Sequence, residues 1–440
     1  MRRRQGLDLY PRDRAGERDP AQRLGRHLVV LIVVSLLAWP ATASALPAGV
    51  TGVDAPGLES GPFITRAGLV WESQRGIVLT DRQGSSRVLA APDARNWEGS
   101  VDLAWFGSDW WVLARRSGVF GGRIGGPLRR LPLLRRCTPA SPSVKPGLLQ
   151  VQYAVSGEDL YVALPKACLS VRGASQAEVL DIDLRSRRSR VLARVPGLLD
   201  GMAASGRYLA IAYSQNVSLL RAERPPHVRV IDATTGAVVN RVTPPPSTPA
   251  RPEANGVSDI QVDAYGDVLV AATCCSVAPG QLAHSAQPPL QRTVWWWSKA
   301  GSKVGHEVHL GDDAVLSDGR VAFFSSSAGS ADDETIDLTD LRSGATRTLV
   351  TLAGTLNASG GLLGRGALRL ALSGDSLTWS QQSTVLEVTS TRYSETCRSV
   401  PLSPVELVSI DLRRMPSSSI VVNGAPIPSQ YANEPACIEV

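Results

Sequence analysis

Between Leu199 and Val242 the chain reads LDGMAASGRYLAIAYSQNVSLLRAERPPHVRVIDATTGAVVNRV. Short apolar runs alternate there with turn residues, and the spacing of an amphipathic helix is missing, so the stretch predicts four β-strands. Gly206 and Gly236 mark two tight turns, because glycine adopts positive φ at little cost. One sheet of four strands cannot bury both of its faces, so we expect further copies of this unit in the chain.

The same pattern, a glycine followed closely by an apolar and β-rich run, recurs at intervals of about 51 residues. In most units a further strand ends in a turn that begins with aspartate, as at Asp183, Asp340 and Asp411. Aspartate suits that position because its side chain accepts hydrogen bonds from the turn backbone. The repeat glycines are Gly68, Gly107, Gly157, Gly206, Gly266, Gly319 and Gly374. The repeat predicts an all-β fold, a seven-bladed β-propeller of four-stranded antiparallel blades.

The predicted propeller occupies residues 57–423 as one closed domain, in which closure removes the free sheet edges that promote aggregation. Residues 46–56 are predicted to be a lead-in, and residues 424–440 a C-terminal tail tied to the body by a disulfide. The predicted blades are 57–92, 97–134, 147–195, 198–243, 256–310, 312–353 and 365–423. Packing between blades is expected to form the core, with the tryptophans Trp71, Trp105, Trp111, Trp296 and Trp379 as candidate core residues.

Two kinds of repeat resemble known propeller families. SGRYLA at Ser205–Ala210 and SDGRVA at Ser317–Ala322 resemble the strand-B turn of TolB-type, WD40-like repeats, and VIDATTG at Val230–Gly236 resembles the hairpin of YVTN and quinoprotein-type propellers. The resemblance implies a propeller fold but no particular activity, because propellers serve as enzymes, scaffolds and receptors alike. Val238–Arg241 stands where the quinoprotein motif usually ends in tryptophan, so no quinone or other cofactor is predicted.

The net charge of +6 is concentrated before the predicted propeller. Residues 1–27 hold eight arginines and four acidic residues, and residues 28–45 hold no charge. The remainder, from Leu46 onward, therefore carries 38 basic and 36 acidic residues. A body so nearly balanced gives no electrostatic reason to expect nucleic acid as a partner.

The N-terminal residues 1–45 have the pattern of a signal peptide. A basic leader precedes the apolar run Leu28–Ala38, Pro40 ends that run, and Ala43–Ala45 provides the small residues that signal peptidase accepts. We expect cleavage after Ala45 and a secreted or extracytoplasmic monomer without a membrane span. Retention of the leader as an anchor is the alternative, although an 11-residue apolar run is short for spanning a bilayer.

Six cysteines follow the predicted cleavage site, and an even number in an exported chain indicates disulfides. We expect Cys137–Cys168 and Cys397–Cys437, since each pair joins loops of one blade or of neighbouring blades. Cys274 and Cys275 would then form a vicinal disulfide. A zinc site is the alternative, but no Cys-x-x-Cys pair supports it.

The sequence contains no motif that commits it to a reaction. His306 and His309 are three residues apart on a predicted strand, where odd spacing sends side chains to opposite faces, so no metal site is predicted. A nucleophile elbow, a Ser-x-x-Lys motif, a P-loop and a dinucleotide fingerprint are all missing from the sequence. No catalytic residue is therefore predicted.

Four aspartates are candidates for the mouth of the propeller channel. Each precedes its blade's repeat glycine by five to seven residues, which places it near the start of the innermost strand; they are Asp102, Asp200, Asp259 and Asp313. A carboxylate there could bind a cation or a basic group of a partner. The alternative is that aspartate satisfies the backbone where the chain enters the strand.

The long irregular segments predict where a ligand would bind. With the four strands of a blade named A to D outward from the axis, these segments all fall on B–C or D–A connections, which share one face; they are 214–226, 244–255, 276–291, 325–333 and 381–404. Long loops on one side of a rigid scaffold are the usual location of binding residues, although tolerated insertion would give the same pattern. The favoured hypothesis is an exported, non-catalytic propeller that binds a protein, peptide or glycan through this face. The alternative hypothesis is a hydrolase or lyase with axial carboxylates.

Overall fold

The computed structural model describes residues 46–92, 103–115, 117–131, 151–164, 176–196, 198–214, 227–242, 257–274, 292–303, 305–310, 313–326, 334–353, 356–357, 370–390 and 395–426. Strands and tight turns make up nearly all of these ranges, with a 3-10 helix at Leu412–Arg414. In these ranges no helix has the length and apolarity needed to cross a membrane.

The strands form seven sheets in chain order, preceded by β1 (Val50–Asp54). Blade one holds β2 (Leu58–Thr65), β3 (Gly68–Ser73), β4 (Gly76–Thr80) and β5 (Ser86–Ala90); blade two holds β6 (Leu103–Phe106), β7 (Trp110–Arg115), β8 (Gly118–Arg123) and β9 (Arg129–Arg130). Blade three holds β10 (Gln152–Ser156), β11 (Asp159–Leu164), β12 (Gln176–Asp183) and β13 (Ser189–Pro196); blade four holds β14 (Leu198–Ser205), β15 (Tyr208–Ser214), β16 (His227–Asp232) and β17 (Val238–Val242). Blade five holds β18 (Val257–Val262), β19 (Val268–Cys274), β20 (Arg292–Ser298) and β21 (His306–Leu310); blade six holds β22 (Ala314–Ser317), β23 (Arg320–Ser326), β24 (Glu334–Asp340) and β25 (Thr346–Ala353). Blade seven is built on β27 (Leu370–Ser373), β28 (Ser376–Ser390) and β30 (Glu406–Asp411), with β26 (Leu356–Asn357) and β29 (Glu395–Pro401) paired to β28; β31 (Ile420–Asn423) follows.

These sheets confirm the seven-bladed β-propeller of four-stranded antiparallel blades. Consecutive strands within a blade pair antiparallel, as β14 to β17 do in blade four. The first strands of neighbouring blades contact each other around a ring, from β6 to β10, β14, β18, β22, β27 and β2. The ring continues from blade one to blade two through the turn after β2, where Arg66 N donates to Ser108 O.

Blade seven receives its outermost strand from the N-terminal side of the chain. β1 pairs with β30 over five residue pairs, from Val50 opposite Ile410 to Asp54 opposite Glu406. The predicted lead-in, 46–56, thus contains a strand of the propeller and ties the two ends of the ring together. The pattern of residues 46–56 alone did not indicate this, because the pairing partner lies about 350 residues away.

The chain after β30 turns back to blade six. β31 runs parallel to β25 and becomes the fifth strand of that sheet, with Ile420 opposite Val350. Ile420 and Val422 are buried in the apolar cluster between blades six and seven, whereas Val421 is 50% exposed. Residues 420–423, which were expected to belong to blade seven, therefore extend the sheet of blade six.

Apolar side chains between the blades form the core. Trp71, Trp111 and Trp379 are buried at these interfaces, as expected of large aromatic residues, each of which can bury about 150–250 Å². In the run of three tryptophans, Trp295 and Trp297 face blade six and are buried, while Trp296 alternates to the other side and is half-buried. The expectation that Trp296 fills the core was wrong by one register position.

Six of the repeat glycines lie in the turns between the first and second strands of their blades, and Gly68 is the first residue of β3, directly after such a turn. Six of the seven have positive φ, with Gly107 as the exception. At Gly68, φ is +138° and an added Cβ would lie 2.1 Å from Thr80 O, so both the backbone angle and the close approach of β4 require glycine. The sequence repeat thus reflects the hairpin turn that every blade needs.

Candidate functional site

The two faces of the ring differ in the length of the connections they carry. The A–B and C–D turns share one face, here the turn face, and the B–C and D–A connections share the other, the loop face. On the turn face two-residue connections are common, such as 157–158 and 206–207. On the loop face β11 is joined to β12 by 165–175, β15 to β16 by 215–226, and β19 to β20 by 275–291. The B–C connections of blades one and two are shorter, with only residues 74–75 and 116–117.

Three of the four aspartates expected at the channel mouth lie at the loop-face ends of inner strands. Asp200 lies at a β-bulge in β14, Asp259 lies at a β-bulge in β18, and Asp313 directly precedes β22. β-bulges interrupt strand pairing and re-aim side chains, and they are common beside functional sites. Asp102 lies outside the described residues.

The hydrogen bonds of Asp259 connect it to the packing of blades five and six. Its Oδ1 accepts from Ile260 N (2.8 Å), and its Oδ2 accepts from Gln261 Nε2 (3.1 Å). Gln261 also donates to Ala314 O (2.8 Å) and accepts from Leu316 N (2.8 Å), so it bridges the inner strands of both blades. Burial raises the pKa of Asp259, while these donors oppose the shift. This environment fits a carboxyl group that orders the strand entry.

The carboxylates at the mouth do not assemble into a metal-binding cluster. Among the described residues no group of three or more His, Cys, Asp and Glu side chains is placed to hold a metal ion. Asp313 is buried, and its carbonyl accepts from Phe324 N (3.3 Å). Asp200, Asp259 and Asp313 thus lie at the starts of the inner strands of blades four, five and six.

Blade seven contains a buried polar run at the loop face that the sequence analysis missed. Trp379 Nε1 donates to Gln381 Oε1 (2.9 Å), and Gln381 Nε2 donates to Glu406 Oε2 (3.1 Å). Burial raises the pKa of Glu406, and the nearby charge of Asp54 adds to the shift, against the donation from Gln381. The signal was available as Ser380-Gln381-Gln382-Ser383, a polar run directly after an apolar strand.

Two atoms of this polar run lack hydrogen-bond partners among the described residues: Ser380 Oγ and Gln382 Oε1. Ser380 is opposite Leu407, which packs with Trp71 and Leu58 of blade one, so this side of β28 faces the seam between blades seven and one. A buried polar atom without a partner is costly, and such atoms are uncommon in folded proteins. The seam therefore presents hydrogen-bonding capacity close to the loop face.

Segment 381–404, expected as an irregular loop, is largely a β-hairpin. β28 continues past the blade and pairs with β29, from Thr384 opposite Pro401 to Ser390 opposite Glu395. Ser383 anchors its base, because its backbone pairs with the 402–403 segment and its Oγ accepts from Ala425 N (2.9 Å). We call this hairpin, 384–401, the arm. It begins at the loop face and extends the strand pairing of blade seven beyond β30.

Two of the six cysteines lie within the described residues. Cys397 lies in β29 opposite Val388, and Cys274 is the last residue of β19, opposite Arg292. The other four, Cys137, Cys168, Cys275 and Cys437, lie outside the described residues.

Comparison with known proteins gives matches among solved structures. No family model matches the chain, and no curated protein matches it in sequence. Similar solved structures include TolB from Acinetobacter baumannii (10% identity, 69% of this chain, 64% of that chain, TM-score 0.34) and the β-propeller domain of the Trilobed protease from Pyrococcus furiosus (9%, 63%, 76%, TM-score 0.35). Another is oligogalacturonate lyase from Vibrio parahaemolyticus (9%, 81%, 90%, TM-score 0.43).

At such low identity these similarities concern the fold alone. The chain spans 64% of the length of the TolB chain it matches. The blade topology itself confirms the propeller resemblance that the repeats indicated.

Proposed function

We propose that this protein is an exported, non-catalytic propeller that binds a protein, peptide or glycan through its loop face. The observation that supports this proposal is the concentration of long connections, together with the arm, on one face of a ring whose other face has short turns. A propeller requires only that its blades be connected, so this asymmetry is additional to the fold. Rigid strands that carry long loops are a common way of presenting a binding surface.

Export follows from the leader. Residues 1–45 would act as a signal peptide cleaved after Ala45, which places the mature protein outside the cytoplasm. An oxidising compartment would then allow Cys137–Cys168, Cys397–Cys437 and Cys274–Cys275 to form disulfides. The pair Cys397–Cys437 would link the C-terminal tail to the arm.

The alternative is a hydrolase or lyase that uses the axial carboxylates. Asp200, Asp259 and Asp313 lie at the starts of successive inner strands, and the raised pKa of Asp259 would suit a proton donor. The hydrogen bonds of Asp259 to Ile260 and Gln261 instead favour a structural role. We therefore propose that these aspartates, together with Asp102, bind a cation or a basic group of a partner at the channel mouth and do not catalyse a reaction.

The test compares variants of the two faces. In the loop-face variant a two-residue turn replaces the arm, 384–401, so that the strands of blade seven are kept. In the turn-face control, Arg185 and Arg187, both exposed in a C–D turn, are replaced by alanine. Each protein would be used on a glycan array and for affinity capture from an envelope extract, after circular dichroism has verified folding.

We expect the loop-face variant to lose the bound glycan or protein and the turn-face control to keep it. Unchanged capture by the variant without the arm, and by a second variant that shortens 275–291, would contradict binding through the loop face. A triple variant, Asp200→Asn, Asp259→Asn and Asp313→Asn, separates the alternatives. An enzyme would lose turnover of a captured substrate, whereas a binding protein would show no turnover in either form.

A further inference from the structure

Four titratable side chains share one surface of blade three, at its turn-face end. Asp159 begins β11 directly opposite Asp183 at the end of β12, and Tyr161 is directly opposite Asp181. Positions two residues apart on a strand point to the same side of a sheet, so all four lie on one side. Tyr161 packs with Ala233 of blade four, so this side faces the next blade.

Two of these carboxylates are already committed as acceptors. Asp183 Oδ1 accepts from Ser186 N in the C–D turn, which holds the pKa of Asp183 below its usual range and keeps it ionised. Asp181 Oδ2 accepts from Arg190 Nε (2.9 Å), and Arg190 Nη2 donates across the blade interface to Ala233 O (2.6 Å). Arg190 therefore joins blade three to blade four through Asp181.

The second carboxylate oxygen of Asp181, Oδ1, lacks a hydrogen-bond donor among the described residues. Asp181 is 9% exposed, and its Oδ1 is buried without a hydrogen-bond partner among the described residues. Leaving a buried acceptor of a charged group unsatisfied is costly. Asp159 is the diagonal neighbour of Asp181 on the adjacent strand and interacts with it electrostatically.

Asp159 is suited to supply the missing donor. Burial and then the charges of Asp181 and Asp183 raise the pKa of Asp159 to about 6, against the attraction of Arg190. A protonated carboxyl group has one O–H to donate, and Asp181 Oδ1 is the acceptor that lacks one. Asp159 would thus supply one O–H group, and Asp181 has one carboxylate oxygen that needs a donor.

We propose that Asp159 and Asp181 form a binding site for one proton, in which the Asp159 O–H donates to Asp181 Oδ1, and that this proton strengthens the contact between blades three and four. The proton comes from solvent and binds to the ionised Asp159, so no bond is broken. With the proton bound, Arg190 faces one fewer negative charge and stays committed to Asp181 and Ala233. Without it, Asp159 adds its own negative charge beside Asp181 and Asp183 and attracts Arg190.

The neighbouring charges come from three blades. Those in blade three are Glu158, Asp181, Asp183, Arg190 and the phenol of Tyr161; blade two contributes Arg123, which is 4.0 Å from Glu158; blade four contributes the ion pair Arg207–Asp232. Burial and the two nearby carboxylates raise the pKa of Tyr161 as well, so it remains neutral over the relevant pH range.

The sign of the effect follows from linkage. Because the pKa of Asp159 is higher in the folded protein than in the unfolded chain, the folded state binds the extra proton. The associated stability is fully present below the ordinary aspartate pKa, near 4, and is lost as pH rises through about 6. Acidification from pH 7.5 to pH 5 should therefore strengthen this interface.

The test measures urea unfolding of the full chain at pH 7.5 and pH 5 in the wild type, Asp159→Asn and a matched control, Asp318→Asn. Asp318 lies in the A–B turn of blade six, and its positive φ of 52° is tolerated by asparagine. We expect Asp159→Asn to remove about a tenfold pH-dependent gain in the folding equilibrium constant that the wild type and the control retain. Equal pH dependence in all three proteins would overturn the proposal.

A second measurement is independent of global stability. Carbon-13 NMR of the aspartate carboxyl groups should show Asp159 titrating near pH 6 and shifting downward in Asp181→Asn, which removes the neighbouring charge. Amide exchange should show greater protection of 229–236 in blade four at pH 5 than at pH 7.5, after correction for intrinsic exchange, in the wild type but not in Asp159→Asn. A midpoint for Asp159 near 4, or identical protection in the two proteins, would refute the shared proton.

Discussion

Glycines at neighbouring positions of the repeat differ in how strictly the structure requires glycine there. Gly68 begins β3 after the A–B turn of blade one, Gly157 lies in the A–B turn of blade three, and both have positive φ. An added Cβ at Gly68 would collide with the backbone of β4, but at Gly157 it would meet no atom within 4 Å. The two positions therefore separate the cost of a left-handed backbone from the cost of a steric clash.

Gly68→Ala should destabilise the protein by about 3 kcal/mol or more, because both costs apply. Gly157→Ala should cost only about 1–2 kcal/mol, which is the penalty of a left-handed conformation for an L-residue. Urea unfolding of the two variants gives the comparison. Equal losses would mean that the approach of Thr80 O to Gly68 does not restrict that turn.

For single residues, the sequence predicted where along a strand a residue lies better than which distant residue it contacts. Residue types and spacing placed Asp200, Asp259 and Asp313 at the entrances of inner strands, because a strand start can be read locally. The bridge from Gln261 to Ala314 and the pairing of Gln381 with Glu406 could not be read, since each joins residues that are distant in sequence. The shift from Trp296 to Trp295 and Trp297 has a similar cause, because a strand's alternation does not say which side is the core.

Among the elements, β31 shows how a short parallel strand contributes to its neighbours. It adds four residues to the outer edge of blade six and turns alternate side chains into the cluster shared with blade seven. Val421 and Val422 are adjacent, but one is 50% exposed and the other 2% exposed. They form an internal pair for testing whether β31 is part of the stable core.

Val422→Ala should cost about 2 kcal/mol of unfolding free energy, since it removes two buried methyl groups from a packed interface. Val421→Ala should change stability by less than about 0.5 kcal/mol. Guanidinium denaturation of both variants measures the difference. A loss at Val421 as large as that at Val422 would indicate that β31 packs differently.

The elements that escaped prediction are those with distant partners or an unusual length. Repeat spacing located strands within a blade, because their pairing is local. It could not show that β1 completes blade seven or that β31 joins blade six, since any apolar strand matches the local pattern. Nor could it show that β28 continues from a blade into the arm, because a long strand and two shorter ones share the same alternation.

At the scale of the whole molecule, the proposed export and disulfides predict where the mature chain begins and how it is cross-linked. Under the proposed export, the mature protein should begin at Leu46, because Ala43–Ala45 provides the cleavage motif. Peptide mapping without reduction should give Cys137–Cys168, Cys397–Cys437 and Cys274–Cys275. An N-terminus upstream of Leu28, or a bond from Cys274 or Cys275 to any of the other four, would contradict this organisation.

The directions of β1 and β31 have a practical consequence for engineering. β1 starts at the turn face, where Val50 is opposite Ile410, whereas β31 ends at the loop face, where Gly424 N donates to Ala353 O. A circular permutant that joins these ends needs a linker crossing the depth of a blade, about 20 Å or six extended residues. A sensor surface coupled near Leu46 would leave the loops facing solution, but coupling at Gly424 would place the support beside them.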